Sequence, residues 1–186
     1  MTRTYLYKGG RKLAFALGEF GIDVSGAVAA DLGCNVGGFT DCLLRNGARK
    51  VYAVDTGYGI LAWKLRTDDR VEVCERTNAM HWRSPDPLDG AVIDVGWTKQ
   101  EKIIPAAWNT VQPGGFIISL FKPQYEAESG LVRNGIVAES EAEKVLEQVL
   151  DGLSLKEYKA EKYARSPLRG GSREKGNTEY FILFRT

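Results

Sequence analysis

Short apolar runs alternate with segments of helical periodicity along most of this chain. The runs have the length and composition of buried strands, and they lie at residues 28–32, 51–54, 71–74, 91–93 and 116–121. Strands that alternate with helices at this pitch form βαβ units, in which neighbouring strands are parallel. The alternation therefore predicts an α/β protein with a mostly parallel sheet.

Apolar spacing predicts the helices that connect these strands, at about residues 13–20, 39–44, 60–65, 102–111 and 139–150. Gly21 and Gly47 are placed to end the first two helices, and residues 113–115 (PGG) predict a turn. The last two predicted strands, residues 156–163 and 180–184, are separated by a loop rich in glycine and arginine. We therefore predict an antiparallel C-terminal hairpin at the edge of the sheet.

Length and charge limit the organisation of the chain and its partners. Its 186 residues suit a single domain over residues 1–186, with residues 1–25 leading into it. The formal net charge is +1, from 25 basic and 24 acidic residues. Dedicated nucleic-acid-binding domains are usually far more basic, so any such contact has to come from local patches.

The cysteines and the N-terminus indicate a cellular location. Cys34, Cys42 and Cys74 cannot form a disulfide framework, and no Cys/His spacing predicts a zinc site or another metal site. Residues 1–10 contain no apolar signal region, and no segment has the length of a membrane span. We expect a cytoplasmic protein with no membrane partner. The sequence does not indicate its oligomeric state.

A glycine-containing loop, residues 31–40 (DLGCNVGGFT), follows the first predicted strand and opens a helix. Glycines let the backbone pass close to a ligand, and a helix N-terminus offers free N–H groups. The loop lacks the G-x-G-x-x-G and P-loop patterns, which disfavours NAD and ATP. The C-terminal hairpin likewise favours the methyltransferase variant of the doubly wound fold over a dehydrogenase. The predicted cofactor-binding residues in this loop are Asp31, Gly33, Asn35, Gly37, Gly38 and Phe39.

Polar residues at the ends of later strands extend the predicted cofactor site. Asp55 ends the second strand, where a carboxylate can accept hydrogen bonds from ribose hydroxyls. Thr77 and Asn78 follow the third strand, where an acidic or amide group commonly meets an adenine. A glycine loop alone is equally typical of a tight turn in any α/β protein. Its combination with Asp55 favours a cofactor.

Several segments in family order give the chain its resemblance to known proteins. They are residues 8–13 (KGGRKL), 31–44, 51–55 with 57–59 (GYG), 75–78 (ERTN), 122–124 (KPQ) and 176–179 (GNTE). With these segments the chain resembles the FtsJ-like RNA 2′-O-methyltransferases, and within them the catalytic domain of the TlyA (hemolysin A-like) family. The resemblance implies a Rossmann-like methyltransferase fold, S-adenosyl-L-methionine as cofactor, and RNA, specifically rRNA, as partner.

The resemblance also implies a catalytic set. The FtsJ-like family uses a Lys-Asp-Lys-Glu tetrad, and the matching positions here are Lys12, Asp94, Lys122 and Glu179. Asp94, at the end of the fourth strand, also belongs to the predicted cofactor site. We assign Lys122 as general base and Lys12 as the residue that positions the substrate, with both carboxylates orienting the amines. Alternatively, the tetrad mainly aligns the hydroxyl with the methyl group.

Departures from the family pattern concern the substrate. Members usually carry an N-terminal S4-type RNA-binding domain, and this sequence has no such segment, so we expect a catalytic domain without it. Gly96 and Trp97 stand where members tend to have Ser-Phe, and Tyr7 and Lys8 stand where members have a basic residue and serine. Trp97 is a candidate for stacking on a base.

Three functions remain open at the level of sequence. The first is methylation of a ribose 2′-hydroxyl in rRNA, and the second is methylation of a small hydroxylated molecule. The third is a non-catalytic module that binds cofactor or RNA. The loop at residues 165–175 is predicted either to contact RNA phosphates or to be a solvated hairpin tip.

Overall fold

A seven-stranded sheet with helices on both faces organises the chain in the computed structural model, which describes Tyr5 and residues 7–171 and 176–186. The strands are β1 (Val28–Leu32), β2 (Lys50–Val54), β3 (Val71–Cys74), β4 (Leu88–Ile93), β5 (Val111–Phe121), β6 (Val132–Arg133), β7 (Ile136–Val137), β8 (Ala160–Arg165) and β9 (Tyr180–Arg185). The helices are α1 (Lys8–Phe20), α2 (Gly38–Arg45), α3 (Trp63–Arg66), α4 (Gln100–Trp108), α5 (Pro123–Glu126) and α6 (Glu139–Ser154).

The sheet has the strand order β3-β2-β1-β4-β5-β9-β8. The first five strands in this order are parallel, whereas β9 is antiparallel to β5 and β8 is antiparallel to β9. The predicted α/β class, the mostly parallel sheet and the antiparallel C-terminal hairpin are therefore confirmed. The short strands β6 and β7 form a separate antiparallel pair.

The sheet divides the core into two layers, and β9 shows how. Its side chains alternate, so that Phe181 and Leu183 pack with α1 and α2 on one face. Ile182 and Phe184 pack with α4 and α6 on the other face. Because both faces are covered, the strand is apolar along almost its whole length rather than alternating in polarity.

The register of the central strands places three chain segments at one edge. Leu32 at the end of β1 pairs with Val54 of β2 and with Ile93 of β4. The residues that follow these strands therefore leave the sheet at the same level. The order of connection reverses between β1 and β4, and ligands of doubly wound sheets bind in the crevice at such a point.

Three glycines let α1 approach the start of α2 closely. A Cβ atom added to Gly38 would lie 3.2 Å from the Cα of Gly9, and one added to Gly10 would lie 3.0 Å from the carbonyl oxygen of Gly38. These contacts fix α1 against the sheet edge and thereby place Lys12 beside it. At its other end α1 stops at Gly21, in the left-handed conformation (φ +66°), as the sequence predicts.

The structure differs from the sequence predictions at several element ends. The helix predicted at residues 60–65 is reduced to α3, because the chain before Trp63 makes turns. The helix predicted to reach residue 111 ends at Trp108, and Val111 already pairs with Leu88 in the sheet. The turn predicted at residues 113–115 is a bulge inside β5, since the next pair is Gly90 with Phe116.

The C-terminal half shows further differences. The last predicted helix continues beyond residue 150 to Ser154, so that β8 begins at Ala160 rather than near residue 156. The elements α5, β6 and β7 were not predicted, because two to four residues leave no readable periodicity. Among the described residues, no helix is both long enough and apolar enough to cross a membrane.

The glycine contact between α1 and α2 predicts opposite effects for two Gly→Ala substitutions. Gly38→Ala should lower the free energy of unfolding by about 1–3 kcal/mol, because its methyl group meets backbone atoms that must move. Gly18→Ala, in the exposed part of α1 with open space around it, should raise stability by about 0.5–1 kcal/mol. Urea unfolding of both variants measures this. Equal changes in the free energy of unfolding for the two variants would show that the contact between α1 and α2 has room for a methyl group.

Candidate active site

Two neighbouring cavities form a groove at the carboxyl edge of the parallel strands. The first has a volume of about 330 Å³ and the second about 300 Å³. Gly33, Asn35 and Asp94 line both cavities, so the two join at these residues. The first cavity extends over the ends of β2 and β3, and the second extends to the start of α1.

The predicted cofactor residues are distributed between the cavities. Asp55, Thr77 and Asn78 line the first cavity. Asp31, Gly38 and Phe39 line the second. Gly37 lines neither, because it faces α3: a Cβ atom there would lie 2.2 Å from Cδ1 of Leu65. Gly37 therefore serves the packing of the loop, and the other predicted cofactor residues surround the groove.

Gly33 brings the loop after β1 against the end of β4. Its φ angle is +88°, and a Cβ atom there would lie 2.8 Å from the carbonyl oxygen of Asp94. Both the conformation and the close approach require glycine. The contact narrows the junction of the two cavities and sets Asp94 beside it.

Asp31 is a fully buried carboxylate in which one oxygen accepts hydrogen bonds and the other has no partner. Its Oδ2 accepts hydrogen bonds from the backbone N–H (2.8 Å) and the hydroxyl (2.6 Å) of Thr40 in the first turn of α2. Its Oδ1 is buried and has no hydrogen-bond partner. The pKa of Asp31 is raised to about 7, mainly by burial and also by the nearby carboxylate of Asp94, while the hydrogen bonds from Thr40 oppose this shift. An unpartnered buried oxygen in the wall of a groove suits a cationic ligand group.

Asp55 holds the two loops that border the first cavity. Its Oδ2 accepts the backbone N–H of Asn35 at 2.8 Å, and its Oδ1 accepts the backbone N–H of Gly57 at 2.8 Å. A carboxylate oxygen has a further lone pair beyond one such bond, so the side chain retains acceptor capacity for a ribose hydroxyl.

The four residues of the predicted tetrad form two ion pairs. Lys12 pairs with Glu179 in a buried contact, and Lys122 Nζ lies 2.6 Å from Oδ1 of Asp94. Lys122 also donates to the carbonyl oxygen of Val95 at 3.2 Å. Lys12 belongs to α1.

Electrostatics joins the two pairs into one cluster. Burial raises the pKa of Glu179, while the charges of Lys12 and Lys122 lower it and that of Asp94 raises it. Burial limits solvent screening, so these charges interact more strongly than they would in water. Asp94 also lines both cavities, so the tetrad reaches their junction through this carboxylate.

Asn177, Gly170 and Gly176 fix the position of the segment that carries Glu179. These roles were not predicted from the sequence. The Asn177 side chain accepts the N–H of Val137 at 2.8 Å and donates to the carbonyl of Gly135 at 2.8 Å. It thereby fastens the segment before β9 to the β6–β7 hairpin. A Cβ atom on Gly176 would lie 1.6 Å from the carbonyl oxygen of Gly170, so no other residue fits there. The motif of residues 176–179 was recognised in the sequence, but the β6–β7 hairpin to which Asn177 bonds was not predicted.

Trp97 presents an aromatic surface beside the tetrad. Its side chain is 87% exposed, and its φ angle is +63°, which is rare for a residue other than glycine. The indole packs on Tyr125 with ring centroids 5.0 Å apart, and the Tyr125 ring lies 5.8 Å from Lys122 Nζ. Trp97 also lines the first cavity. This placement agrees with its candidacy for stacking on a base.

Comparison with known proteins identifies the family. The model of the FtsJ-like methyltransferases matches residues 5–186, which is nearly the whole chain. The chain belongs to the FtsJ-like methyltransferase family. The resemblance stated from the sequence is therefore confirmed, as are the methyltransferase class and S-adenosyl-L-methionine as cofactor.

Individual relatives cover this FtsJ-like chain from end to end. YqxC of Bacillus subtilis, whose name assigns it rRNA methyltransferase activity provisionally, is 39% identical over 96% of this chain and 64% of its own. The chain thus spans less than two thirds of that relative. The Mycobacterium tuberculosis protein named 16S/23S rRNA (cytidine-2′-O)-methyltransferase TlyA is 38% identical, over 99% of this chain and 69% of its own. A Streptococcus thermophilus structure, provisionally named a hemolysin, has a TM-score of 0.92 and 37% identity, covering 100% of this chain and 68% of its own.

The groove of this FtsJ-like domain fits the cofactor of its family. S-adenosyl-L-methionine carries a ribose with two hydroxyls and an amino-acid end with an ammonium group. Asp55 offers acceptor capacity in the first cavity, and the unpartnered Oδ1 of Asp31 offers an anionic acceptor in the second. The residues present therefore suit the two polar parts of the cofactor.

The raised pKa of Asp31 predicts a pH dependence of stability in the cofactor-free protein. Because its folded pKa is about 7 and its ordinary value 3.8, the folded chain binds this proton more tightly than the unfolded chain. The contribution of Asp31 to the free energy of unfolding should therefore fall as pH rises from about 4 to about 7, by up to ~1.4 kcal/mol per pH unit. Asp31→Asn keeps an oxygen for Thr40 and should remove this slope. Urea unfolding across this pH range compares the two, and identical slopes would contradict the assignment.

Asp55 predicts a loss of cofactor affinity that can be separated from a loss of stability. Asp55→Ala should weaken S-adenosyl-L-methionine binding by about 1–3 kcal/mol, because the ribose loses its acceptor. Calorimetric titration measures the affinity, and thermal unfolding reports the cost of releasing Asn35 and Gly57. Asp69→Ala, at an exposed position, is the matched control and should bind normally. Unchanged affinity in Asp55→Ala would remove Asp55 from the binding site.

Proposed function

We propose that this chain transfers the methyl group of S-adenosyl-L-methionine to a ribose 2′-hydroxyl of ribosomal RNA. The observation that carries the proposal is the pair of lysine–carboxylate contacts, Lys12 with Glu179 and Lys122 with Asp94, of which Asp94 lines both cavities. Positioning an acceptor hydroxyl and taking its proton need such groups beside the methyl donor. The name of the Mycobacterium tuberculosis relative supports a 2′-hydroxyl of rRNA as the acceptor.

The roles of the four residues follow from their placement. When bound, the cofactor supplies a methyl group on a positively charged sulfur, so an attacking oxygen forms its bond to carbon as the carbon–sulfur bond breaks. Lys122 in its neutral form takes the proton of the attacking hydroxyl, and Asp94 holds the amine at the junction of the cavities. Lys12, held by Glu179, positions the acceptor ribose. Alignment by the whole tetrad would contribute to the rate in addition to proton transfer.

The surface around the junction supports an RNA acceptor. Trp97 and Tyr125 form an exposed aromatic surface next to Lys122, and stacking on such a surface holds unpaired bases in many RNA-binding proteins. The net charge of +1 leaves little general attraction for RNA. Binding by this chain therefore relies on contacts near the site.

The tetrad predicts a selective loss of methyl transfer in Lys122→Ala. The single-turnover rate on ribosomal RNA should fall by about 10²–10⁴-fold, the usual loss when general acid–base help is removed. Cofactor affinity should remain close to that of the parent, since Lys122 lies outside both cavities' walls. Radiolabelled methyl donor with mapping of the modified nucleotide provides the measurement.

The control and the contrary outcomes are specific. Lys156→Ala removes an exposed lysine whose carboxylate partner, Glu101, lies 3.7 Å away, and it should keep the parent rate. If Lys122→Ala methylates RNA at the parent rate, the mechanism is wrong. If the parent binds cofactor tightly and modifies only a small hydroxylated compound, or nothing, the other two functions take its place.

A further inference from the structure

Arg165, at the end of β8, and Arg169, in the loop that follows, converge on one carboxylate. Arg169 Nη2 lies 2.7 Å from Oε2 of Glu139, and Arg165 Nη2 contacts Oε1 of the same side chain. Glu139 is the first residue of α6. The same loop also contacts α1, because Lys8 at the start of that helix donates to the carbonyl of Gly171 at 2.8 Å. Residues 172–175 of the predicted RNA-contacting loop lie outside the described residues.

This segment runs directly past the tetrad. The N–H of Ser166 donates to the carbonyl of Glu179 at 2.8 Å. Gly170 packs on the Glu179 carboxylate so closely that a Cβ atom would lie 2.3 Å from Oε1. Arg169 is therefore one residue from a direct contact with the tetrad. A nucleotide whose ribose enters the tetrad has its backbone phosphates a few bonds away from that ribose.

The side chains of Arg165, Arg169 and Glu139 are joined by ion pairs, and all three remain accessible to a competing anion. Each is about half exposed, at 45–53%. Arg169 and Arg165 hold the pKa of Glu139 below its usual range, so its carboxylate is an anion at neutral pH. Exposed ion pairs of this kind contribute little to stability, and an incoming anion can replace the carboxylate at small cost. Paired guanidinium groups offer forked N–H donors that match phosphate oxygens as well as carboxylate oxygens.

We propose that Arg165 and Arg169 form a clamp for a backbone phosphate of RNA, and that Glu139 occupies this clamp until RNA displaces it. The inference rests on the proposed function for the identity of the anion. Glu139 acts as an internal competitor, which lowers the affinity of the free domain for arbitrary RNA. An RNA that also fits its acceptor nucleotide to the tetrad gains enough contacts to displace the carboxylate.

The test removes the competitor without changing its shape. Glu139→Gln is compared with Glu147→Gln, which makes the same charge change at an exposed position of α6 for which the structure shows no ion pair among the described residues. Binding of a labelled single-stranded RNA oligonucleotide is followed by fluorescence anisotropy over a series of salt concentrations. Glu139→Gln should bind about three- to tenfold more tightly than Glu147→Gln at low salt. Its plot of log affinity against log salt should be steeper by up to ~0.7 for each arginine.

A second variant identifies the groups that are released. Arg165→Gln combined with Arg169→Gln should weaken RNA binding and flatten the salt dependence. Adding Glu139→Gln to that pair should then have no more effect than adding Glu147→Gln, because no clamp remains to be freed. Tightening by Glu139→Gln in the absence of both arginines would overturn the proposal. So would RNA affinities for Glu139→Gln at or below those of Glu147→Gln.

Failure of this inference is distinguishable from failure of the proposed function. The affinities are measured without cofactor and involve no methyl transfer, whereas methylation of ribosomal RNA by the parent tests the function alone. A parent that does not methylate RNA but gains affinity through Glu139→Gln retains the clamp and loses the proposed reaction. A parent that methylates RNA but shows no clamp effect retains the reaction and loses the inference.

Discussion

The bond between Asp31 and Thr40 is the contact on which the site depends. It links the end of β1 to the first turn of α2 from inside the protein, with the carboxylate completely excluded from water. Burying that carboxylate is costly, as its raised pKa shows, and Thr40 satisfies only one of its two oxygens. The loop between the two anchored points has to bend sharply, and Gly33 with its positive φ angle makes the bend. A fold selected for stability alone would place an apolar residue at position 31. The unpartnered oxygen of this carboxylate suits a cationic ligand group, which would offset the cost of burial.

The tetrad depends on a different set of contacts, because its members come from distant parts of the chain. Lys12 and Glu179 are separated by 167 positions, yet they form a buried ion pair. Close glycine packing brings α1 to α2, and Asn177 fastens the C-terminal segment to the β6–β7 hairpin. Breaking such a pair leaves an uncompensated charge in a buried place, which usually costs more than the pair itself contributes. The positions of Lys12 and Glu179 are thus fixed by backbone packing, and the ion pair is a consequence of that packing.

Sequence reasoning succeeded where a periodic or chemical signal spans several residues. The strands β1 and β3 were predicted with the observed ends, and the residues that follow β1, β2 and β4 were placed correctly at one edge. It failed where tertiary contacts override local preference. Residues 60–62 have helical spacing but form an irregular segment against the loop after β1, where the N–H of Ala62 donates to the carbonyl of Val36. Residues 113–115 carry a strong turn signal, but Gly114 pairs with Thr186 and the strand continues through a bulge. Gly37 shows the same limit of sequence-based prediction within the site. The sequence does not distinguish a glycine that lines a ligand site from one that packs against a helix, as Gly37 does against α3.

Charge pairing is the surface property that matters most for the proposed action of this nearly neutral domain on RNA. Near the groove, Lys64 is paired with Asp41 and Arg66 with Glu75, so these cations are already matched by carboxylates of the chain. Such a surface attracts RNA weakly at a distance, because its field is nearly cancelled. Close contact changes this balance, since a phosphate competes for guanidinium groups only where it can reach them with suitable geometry. Recognition of RNA then depends on the geometric fit more than on net charge. An RNA that does not place its ribose at the tetrad makes no new contacts there. Such an RNA has nothing to offset the free energy of separating Arg165 and Arg169 from Glu139. In a domain whose cations are held this way, selectivity comes from the internal carboxylates as much as from the residues that contact RNA.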